Sequence, residues 1–561
     1  MKKRRTLSVL AAAMAVGLAG GVFVSKMAAD DDEHHSRHFR FEEGSLVLSR
    51  SVYAGTPGTI TVGQTLPPGC VPGTITLPLL AGGTTTVKIK AGSSSGCNTA
   101  VADGTYPTVF NNDGADGSFG ISSPIFLDNI TSDGRLLDTL PIPSDQIVTS
   151  FSSKSELAVN LATDGRSITF GGYRGGPGFV TGPNQLDVSN SNTPGVVDPT
   201  NPVSSKYYRS VAEVDADGHL MITEGNGYSG NNGRAAIKAN SLYYMTGNDN
   251  NGGLNASQLT GTQVGVNLIT STGVELLVPG QAPPVPPNIN KIGEFAVTQV
   301  GYKTADKPGK DNNFRGLTIF HNTLYVTKGS GGNGINTVYQ VGAAGVLPTG
   351  STADLAAVPI TVLPGFPTTL ASGTALDGST GNPVTFPFGL WFADEKTLYV
   401  CDEGDGTLVT PAVNGNVADA ATLATAGVQK WSLVDGTWKL LYVLQDGLNI
   451  GAPYSVANYP AALSPATDGC RNITGKQNHD GTVTIYAVTS TVSASGDQGA
   501  DPNKLVKVTD LLKATALPVD DGDHDRDDRL GHFTTIRSAQ SGEVLRGVSF
   551  APSAHGDEDR Q

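Results

Sequence analysis

The fold this sequence predicts is all-β: a single β-propeller. Three features predict it. Apolar runs are short, alternating and bounded by Gly, Asn and Asp; a two-strand signature recurs at near-even spacing; and one orphan half-signature closes the chain. Composition agrees, with 71 glycines, 33 prolines and no long Leu/Glu/Lys/Ala-rich stretch of helical period.

The signature is clearest at Arg315-Gly-Leu-Thr-Ile-Phe, followed by Thr323-Leu-Tyr-Val-Thr-Lys-Gly. It returns at Phe388-Gly-Leu-Trp-Phe-Ala with Thr397-Leu-Tyr-Val-Cys-Asp-Glu-Gly, and at Arg234-Ala-Ala-Ile-Lys-Ala with Ser241-Leu-Tyr-Tyr-Met-Thr-Gly. Weaker copies are Arg471-Asn-Ile-Thr-Gly with Thr482-Val-Thr-Ile-Tyr-Ala, and Ser155-Glu-Leu-Ala-Val-Asn with Ser167-Ile-Thr-Phe-Gly-Gly. Arg546-Gly-Val-Ser-Phe-Ala-Pro is the last and stands alone. From Ser155 through Arg234, Arg315, Phe388 and Arg471 to Arg546 the spacings are 79, 81, 73, 83 and 75 residues.

Each unit has room for two further strands. Gly427-Val-Gln-Lys-Trp-Ser-Leu and Trp438-Lys-Leu-Leu-Tyr-Val-Leu flank Asp435-Gly436, and Ser210-Val-Ala-Glu-Val-Asp and His219-Leu-Met-Ile-Thr flank Asp217-Gly218. Asp-Gly between alternating runs is a hairpin signal. Four antiparallel strands per repeat, stacked radially, make a propeller blade.

The orphan at Arg546 needs three partners, and the N-terminal region supplies them: Ser45–Tyr53, Pro124–Ile130 and Arg135–Pro141. A blade shared by both chain ends leaves no free sheet edge. The count is six four-stranded blades, with seven as the alternative and two β-sandwiches in series as the competing architecture. The propeller then spans residues 45–552, with 55–119 inserted in the shared blade and 553–561 a tail.

The ends place the chain outside the cytoplasm. Met1-Lys-Lys-Arg-Arg5, an apolar run from Leu7 to Val24, and small residues before Asp30-Asp-Asp-Glu33 make residues 1–29 a secretory signal peptide. An acidic, His-rich tail, 30–44, follows with His34, His35 and His38. The mature protein is expected without a membrane span, extracellular or periplasmic, and monomeric. A net charge of −14 argues against nucleic acid and anionic membranes. Four cysteines in an exported chain imply disulfides. Cys70 and Cys97 bracket one hairpin and are paired; Cys401 and Cys470 then bond each other, stapling adjacent blades.

Ser123-Pro-Ile-Phe-Leu-Asp-Asn-Ile-Thr-Ser-Asp-Gly-Arg-Leu-Leu, Thr397-Leu-Tyr-Val with Asp402, Gly427–Leu433 and Arg471-Asn-Ile-Thr-Gly resemble blades of a family of large secreted bacterial β-propeller proteins. The resemblance covers most of the mature chain. It implies the fold and brings no catalytic residues. A looser similarity is to propellers grouped with phytase-like esterases.

Enzyme signatures are few. No His-Glu-x-x-His site occurs. Gly225–Gly230 and Gly329–Gly334 match the dinucleotide glycine pattern, but strands follow both, so they are turns. Asp521, Asp523 and Asp525, beside His524 and before His532, form an oxygen-rich stretch suited to calcium without the EF-hand pattern; Asn111–Ser118 is a second such stretch.

The repeat offers the sharper lead. Arg234, Arg315, Arg471 and Arg546 occupy four of the six equivalent inner-strand positions, and Glu156 stands in the copy that lacks arginine. Near them fall Asn231, Asn232, Asp311, Asn312, Asn313, Asp468 and Glu543. Arginine forks suit carboxylate and phosphate, so the channel face is expected to bind a small anionic or glycan-like ligand, or a surface partner. Alternatively the arginines pair with acids or carbonyls of neighbouring blades and lock them. A hydrolase or lyase acting on a phosphoester or acidic polysaccharide would use Glu156, Glu224, Asp402 or Glu403 as acid and base. A structural envelope or matrix component is the third reading.

Overall fold

The computed structural model describes residues 39–555, apart from 67–69, 79–81, 90–96, 110–119, 154–155, 177–190, 195–205, 249–265, 271–288, 292–312, 330–331, 351–353, 373–384, 419–423, 519–528 and a few single positions. The signal-peptide assignment and residues 30–38 of the acidic tail therefore lie outside the described residues; of the rest of that tail, Phe41 is buried and its N–H donates to Ala216 O at 2.9 Å.

The described chain is all-β in a propeller arrangement, its one named helical element being the short 3-10 turn Ala461–Leu463. Both chain ends share one sheet. Its order is Glu543–Phe550, Leu46–Val52, Ile125–Ile130 and Leu136–Pro141. The first two run antiparallel from Leu46 opposite Phe550 to Val52 opposite Glu543, so the shared closing sheet stands as the orphan signature requires.

Four more sheets follow the repeat, each of four strands in chain order. They begin with the innermost strands Gly233–Ala239, Leu317–Phe320, Pro387–Asp394 and Ala466–Gln477. The outer hairpin Gly427–Val434 and Thr437–Leu444 turns at Asp435 and Gly436, both at positive φ, 50° and 75°. That conformation matches the twist of paired strands.

The blade count needs correction. Regular four-stranded blades number five, not six or seven. The segment carrying the Ser155 and Ser167 copy forms a six-stranded sheet instead. Its inner strand is cut to Asn160–Leu161, which pairs only with the start of Ser167–Arg174. The other end of that strand pairs with Ile147–Ser150, which in turn holds Ser122–Ser123. Two short strands thus take the edge that one inner strand takes elsewhere.

Apolar side chains fill the spaces between successive sheets. Val47, Leu127, Ile147, Phe170 and Val214 join the closing and six-stranded sheets; Ile237, Tyr244, Leu317, Val326 and Tyr339 join the next two sheets in sequence. Phe392, Trp431 and Trp438 meet Val338 and Leu363, while Tyr399 and Tyr442 meet Ile485, Val506 and Val508. Inner strands run so close together that the glycines of the signature are steric necessities. A Cβ on Gly316 would lie 2.0 Å from Phe388 O, and one on Gly547 2.4 Å from Leu157 O.

Both disulfides form as the spacing predicts, Cys70–Cys97 and Cys401–Cys470, with Cα–Cα distances of 5.5 and 5.2 Å. The second joins two neighbouring sheets. Among the described residues no helix is long and apolar enough to cross a membrane.

Candidate functional site

The inner strands carry their arginines in a particular way. Pairing skips from Gly233 to Ala235, from Cys470 to Asn472, and from Gly547 to Leu545. Arg234, Arg471 and Arg546 are each the extra residue of a β-bulge. A bulge bends its strand and re-aims one side chain, here at equivalent places in three sheets. All three residues are buried. Arg315 stands just before its strand, also buried, its guanidinium 5.9 Å from the centre of the Phe388 ring of the next sheet.

Their surroundings differ. The Arg546 guanidinium donates to the carbonyls of Phe151 and Ser153, to Gly499 O at 2.9 Å and to Ser51 Oγ at 3.3 Å. It is a clasp between chain segments, as the locking alternative describes. Arg471 donates Nε to Glu403 Oε2 at 3.0 Å, across to the neighbouring sheet. Its two terminal nitrogens donate to no described residue.

Arg234 has acids within electrostatic reach on two sides. Burial pushes its guanidinium below the usual range, while Glu156, Tyr173 and Glu403 act in the opposite sense. Glu156 Oε1 accepts from Tyr173 Oη and from Asn232 Nδ2, the latter at 2.9 Å, and its buried Oε2 takes no donor among the described residues. Glu156, Arg234, Glu403 and Arg471 are therefore one electrostatic group assembled from separate sheets.

Asp402 and Glu403, both nominated from the sequence, share one turn. Cys401-Asp-Glu-Gly-Asp-Gly406 turns through Gly404 and Gly406, at φ 79° and 70°. Burial pushes the Asp402 carboxyl up to about 7 and that of Asp468 up to about 7. Asp501, also buried, is pushed up to about 6 while accepting from Tyr459, Ser493 and Ser495 hydroxyls on Oδ1. The glycine-punctuated acids after Cys401 were the available signal; Asp501 and Tyr173 gave none.

Other nominated residues fall elsewhere. Glu224 faces Arg174 at 2.9 Å within the six-stranded sheet and is raised by burial. Glu543 bonds Arg50 at 2.8 Å in the closing sheet. Asp311, Asn312, Asp521, Asp523 and Asp525 lie outside the described residues, as does Asn111–Ser118. Among the described residues no cluster of three or more His, Cys, Asp or Glu could hold a metal ion.

No protein-family model matches the chain, and no curated protein sequence matches it. Among solved structures, a mutant of the Synechocystis apocarotenoid oxygenase is similar at 8% identity and a TM-score of 0.21 over 86% of this chain; the chain spans 64% of that protein. The haemagglutinin-neuraminidase ectodomain of parainfluenza virus 5 is similar at 10% identity and a TM-score of 0.26, covering 89% of each chain. Likenesses of that size carry neither fold nor function. The propeller arrangement stands on the strand pairing itself, and no match supports the family resemblance.

Proposed function

We propose that this chain is an exported β-propeller that binds a small oxyanion, such as a uronate, an organic acid or a phosphate ester, at the face where its inner strands begin. The carrying observation is the recurrent bulge that re-aims Arg234 and Arg471 beside Glu156 and Glu403. Arginines meet oxyanions through paired N–H donors, and bulges are frequent beside working sites. The acids would hold the guanidinium groups in place and accept from ligand hydroxyls, which suits a sugar acid. The six-stranded sheet packs between two of the regular blades. Thr169 Oγ1 reaches Ala236 O on one side at 2.8 Å, and Leu157 O accepts from Ser49 Oγ on the other at 2.6 Å. The two disulfides support export. Calcium at Asp521, Asp523 and Asp525 remains part of the proposal.

The test is a thermal-shift panel of uronates, dicarboxylates and phosphate esters on the mature protein, with calcium or with chelator. A bound ligand raises the melting temperature by mass action. Arg234→Gln with Arg471→Gln should abolish the shift, and should lower the unliganded melting temperature because Glu403 loses its buried partner. Absence of any shift across the panel, or a double variant that responds like wild type, refutes the reading.

A hydrolase or lyase is the second reading: burial pushes the Asp402 and Asp468 carboxyls up to about 7, the latter near Arg471, which suits general acid–base work. Turnover of a chromogenic phosphoester or of an acidic polysaccharide, lost in Asp402→Asn, would establish it.

A further inference from the structure

Asp402 and Asp468 hold one turn from both sides. Asp402 Oδ1 accepts the Gly404 N–H at 3.0 Å, and its Oδ2 accepts the Phe386 N–H at 2.9 Å and Gln429 Nε2 at 3.0 Å. Asp468 Oδ2 accepts the Gly406 N–H at 2.8 Å, while its buried Oδ1 takes no donor among the described residues. A Cβ on Gly404 would lie 2.4 Å from the Asp468 carboxyl carbon, so the carboxyl is seated against the turn. Glu403, on that turn, is the acceptor for Arg471. The Cys401–Cys470 bond fixes the two segments together. The carboxylates and the guanidinium are therefore linked through one turn and its hydrogen bonds.

The charged groups facing this pair are few. Glu403 and Asp405 come from the turn itself, and Arg471 from the neighbouring sheet, with Asp501 beyond Arg471. Around Arg471, then, acids outnumber the cation. Each carboxylate that ionises opposes an arriving anion, and each that takes a proton favours it. The bare Oδ1 of Asp468 is where such a proton has room, since every other oxygen of the pair already accepts an N–H.

We propose that Asp402 and Asp468 couple oxyanion binding at Arg471 to proton uptake, so that the channel face holds its ligand in mild acid and releases it in mild alkali. This rests on the channel-face reading above and adds its regulation. Both carboxyls are pushed up to about 7 by burial, which sets the window. Below it the pair is already protonated and affinity is flat. Above it each proton taken up on binding weakens affinity about tenfold per pH unit.

Sulfate is the probe, because it stays fully ionised across the range. Calorimetric titration of the full mature protein at about pH 6 and about pH 8.5, at constant ionic strength, gives the affinities. Repeating it in buffers of different ionisation enthalpy counts the protons. Wild type should bind at least about tenfold more tightly at the lower pH and take up protons at the higher. Asp468→Asn should bind at both and lose most of the pH dependence. Equal wild-type affinities without proton uptake would overturn the coupling alone, as would Asp402→Asn/Asp468→Asn retaining the wild-type slope. Sulfate binding at neither pH would overturn the channel-face reading and the coupling with it. Proton uptake is measured on wild type, so the test holds even where a variant fails to fold.

Discussion

Replacing Asp128 with Asn should open the seam that joins the two chain ends. Asp128 is fully buried in the closing sheet. Its carboxylate accepts Arg50 Nε at 3.0 Å, Arg50 Nη2 at 3.2 Å, Arg537 Nη2 at 3.0 Å and Thr139 Oγ1 at 2.8 Å. These bonds tie the first strand of the propeller to its own sheet and to the outermost strand Thr534–Ser538 of the sheet before it. The amide in Asp128→Asn would keep the volume, lose the charge and turn one N–H toward arginine donors. Removing one partner of a buried ion pair costs about 3–5 kcal/mol. The lower end applies here. The Arg50 and Arg537 side chains are 13% and 23% exposed, and Arg50 keeps Glu543, so both can recruit solvent. The assay is the guanidinium midpoint with disulfides intact, with Asp138→Asn on the exposed face of the same sheet as control. A loss of about 3 kcal/mol in D128N and under ~0.5 in D138N is the expected result. Equal, small effects in both would refute the view that this carboxylate locks the seam.

Three further outcomes follow from the packing. Lys430 and Asp510 pair at 3.1 Å with side chains 1% and 0% exposed, so Lys430→Met should cost about 3 kcal/mol or more, and adding Asp510→Leu should recover part of it in the same denaturation assay. Gly547→Ala should cost about 1–3 kcal/mol by forcing the inner strands apart, whereas Gly73→Ala, where a Cβ meets nothing within 4 Å, should be near neutral. Stability should fall as pH rises from about 4 to about 7: the folded state holds protons on Asp402, Asp468 and Asp501 that the unfolded chain has released, at about 1.4 kcal/mol per pH unit for each proton. Melting curves across that range should show the fall, and Asp468→Asn should flatten it; a rise with pH would contradict the burial of these carboxyls.

The features legible in the sequence were those written locally or by repetition. Alternation, Asp-Gly turns and the orphan Arg546 strand located the hairpins and the closing sheet, because hairpin register follows turn chemistry and one sheet face. The six-stranded sheet was not legible. Ile147–Ser150 is too short for a period to show, and it wins the edge of Ser167–Arg174 only once the fold brings it there. Recurrent arginine marked equivalent positions in the repeat, but a bulge is a property of pairing between strands, so their re-aiming left no local trace. Different fates for Arg546 and Arg471, one clasped by carbonyls and one facing Glu403, depend on loops from other sheets that no spacing encodes. The joint hold of Asp402 and Asp468 on one turn likewise joins residues far apart in sequence.

A crystal of the mature protein soaked in selenate tests the central claim most directly, since the selenium anomalous signal locates the oxyanion without interpretation of weak density. The account predicts a peak within hydrogen-bond reach of the Arg471 guanidinium on the side of Arg234, at mildly acidic pH, and its loss in Arg471→Gln. Peaks confined to surface lysines, or a peak at the channel face that persists unchanged in Arg471→Gln, would contradict it.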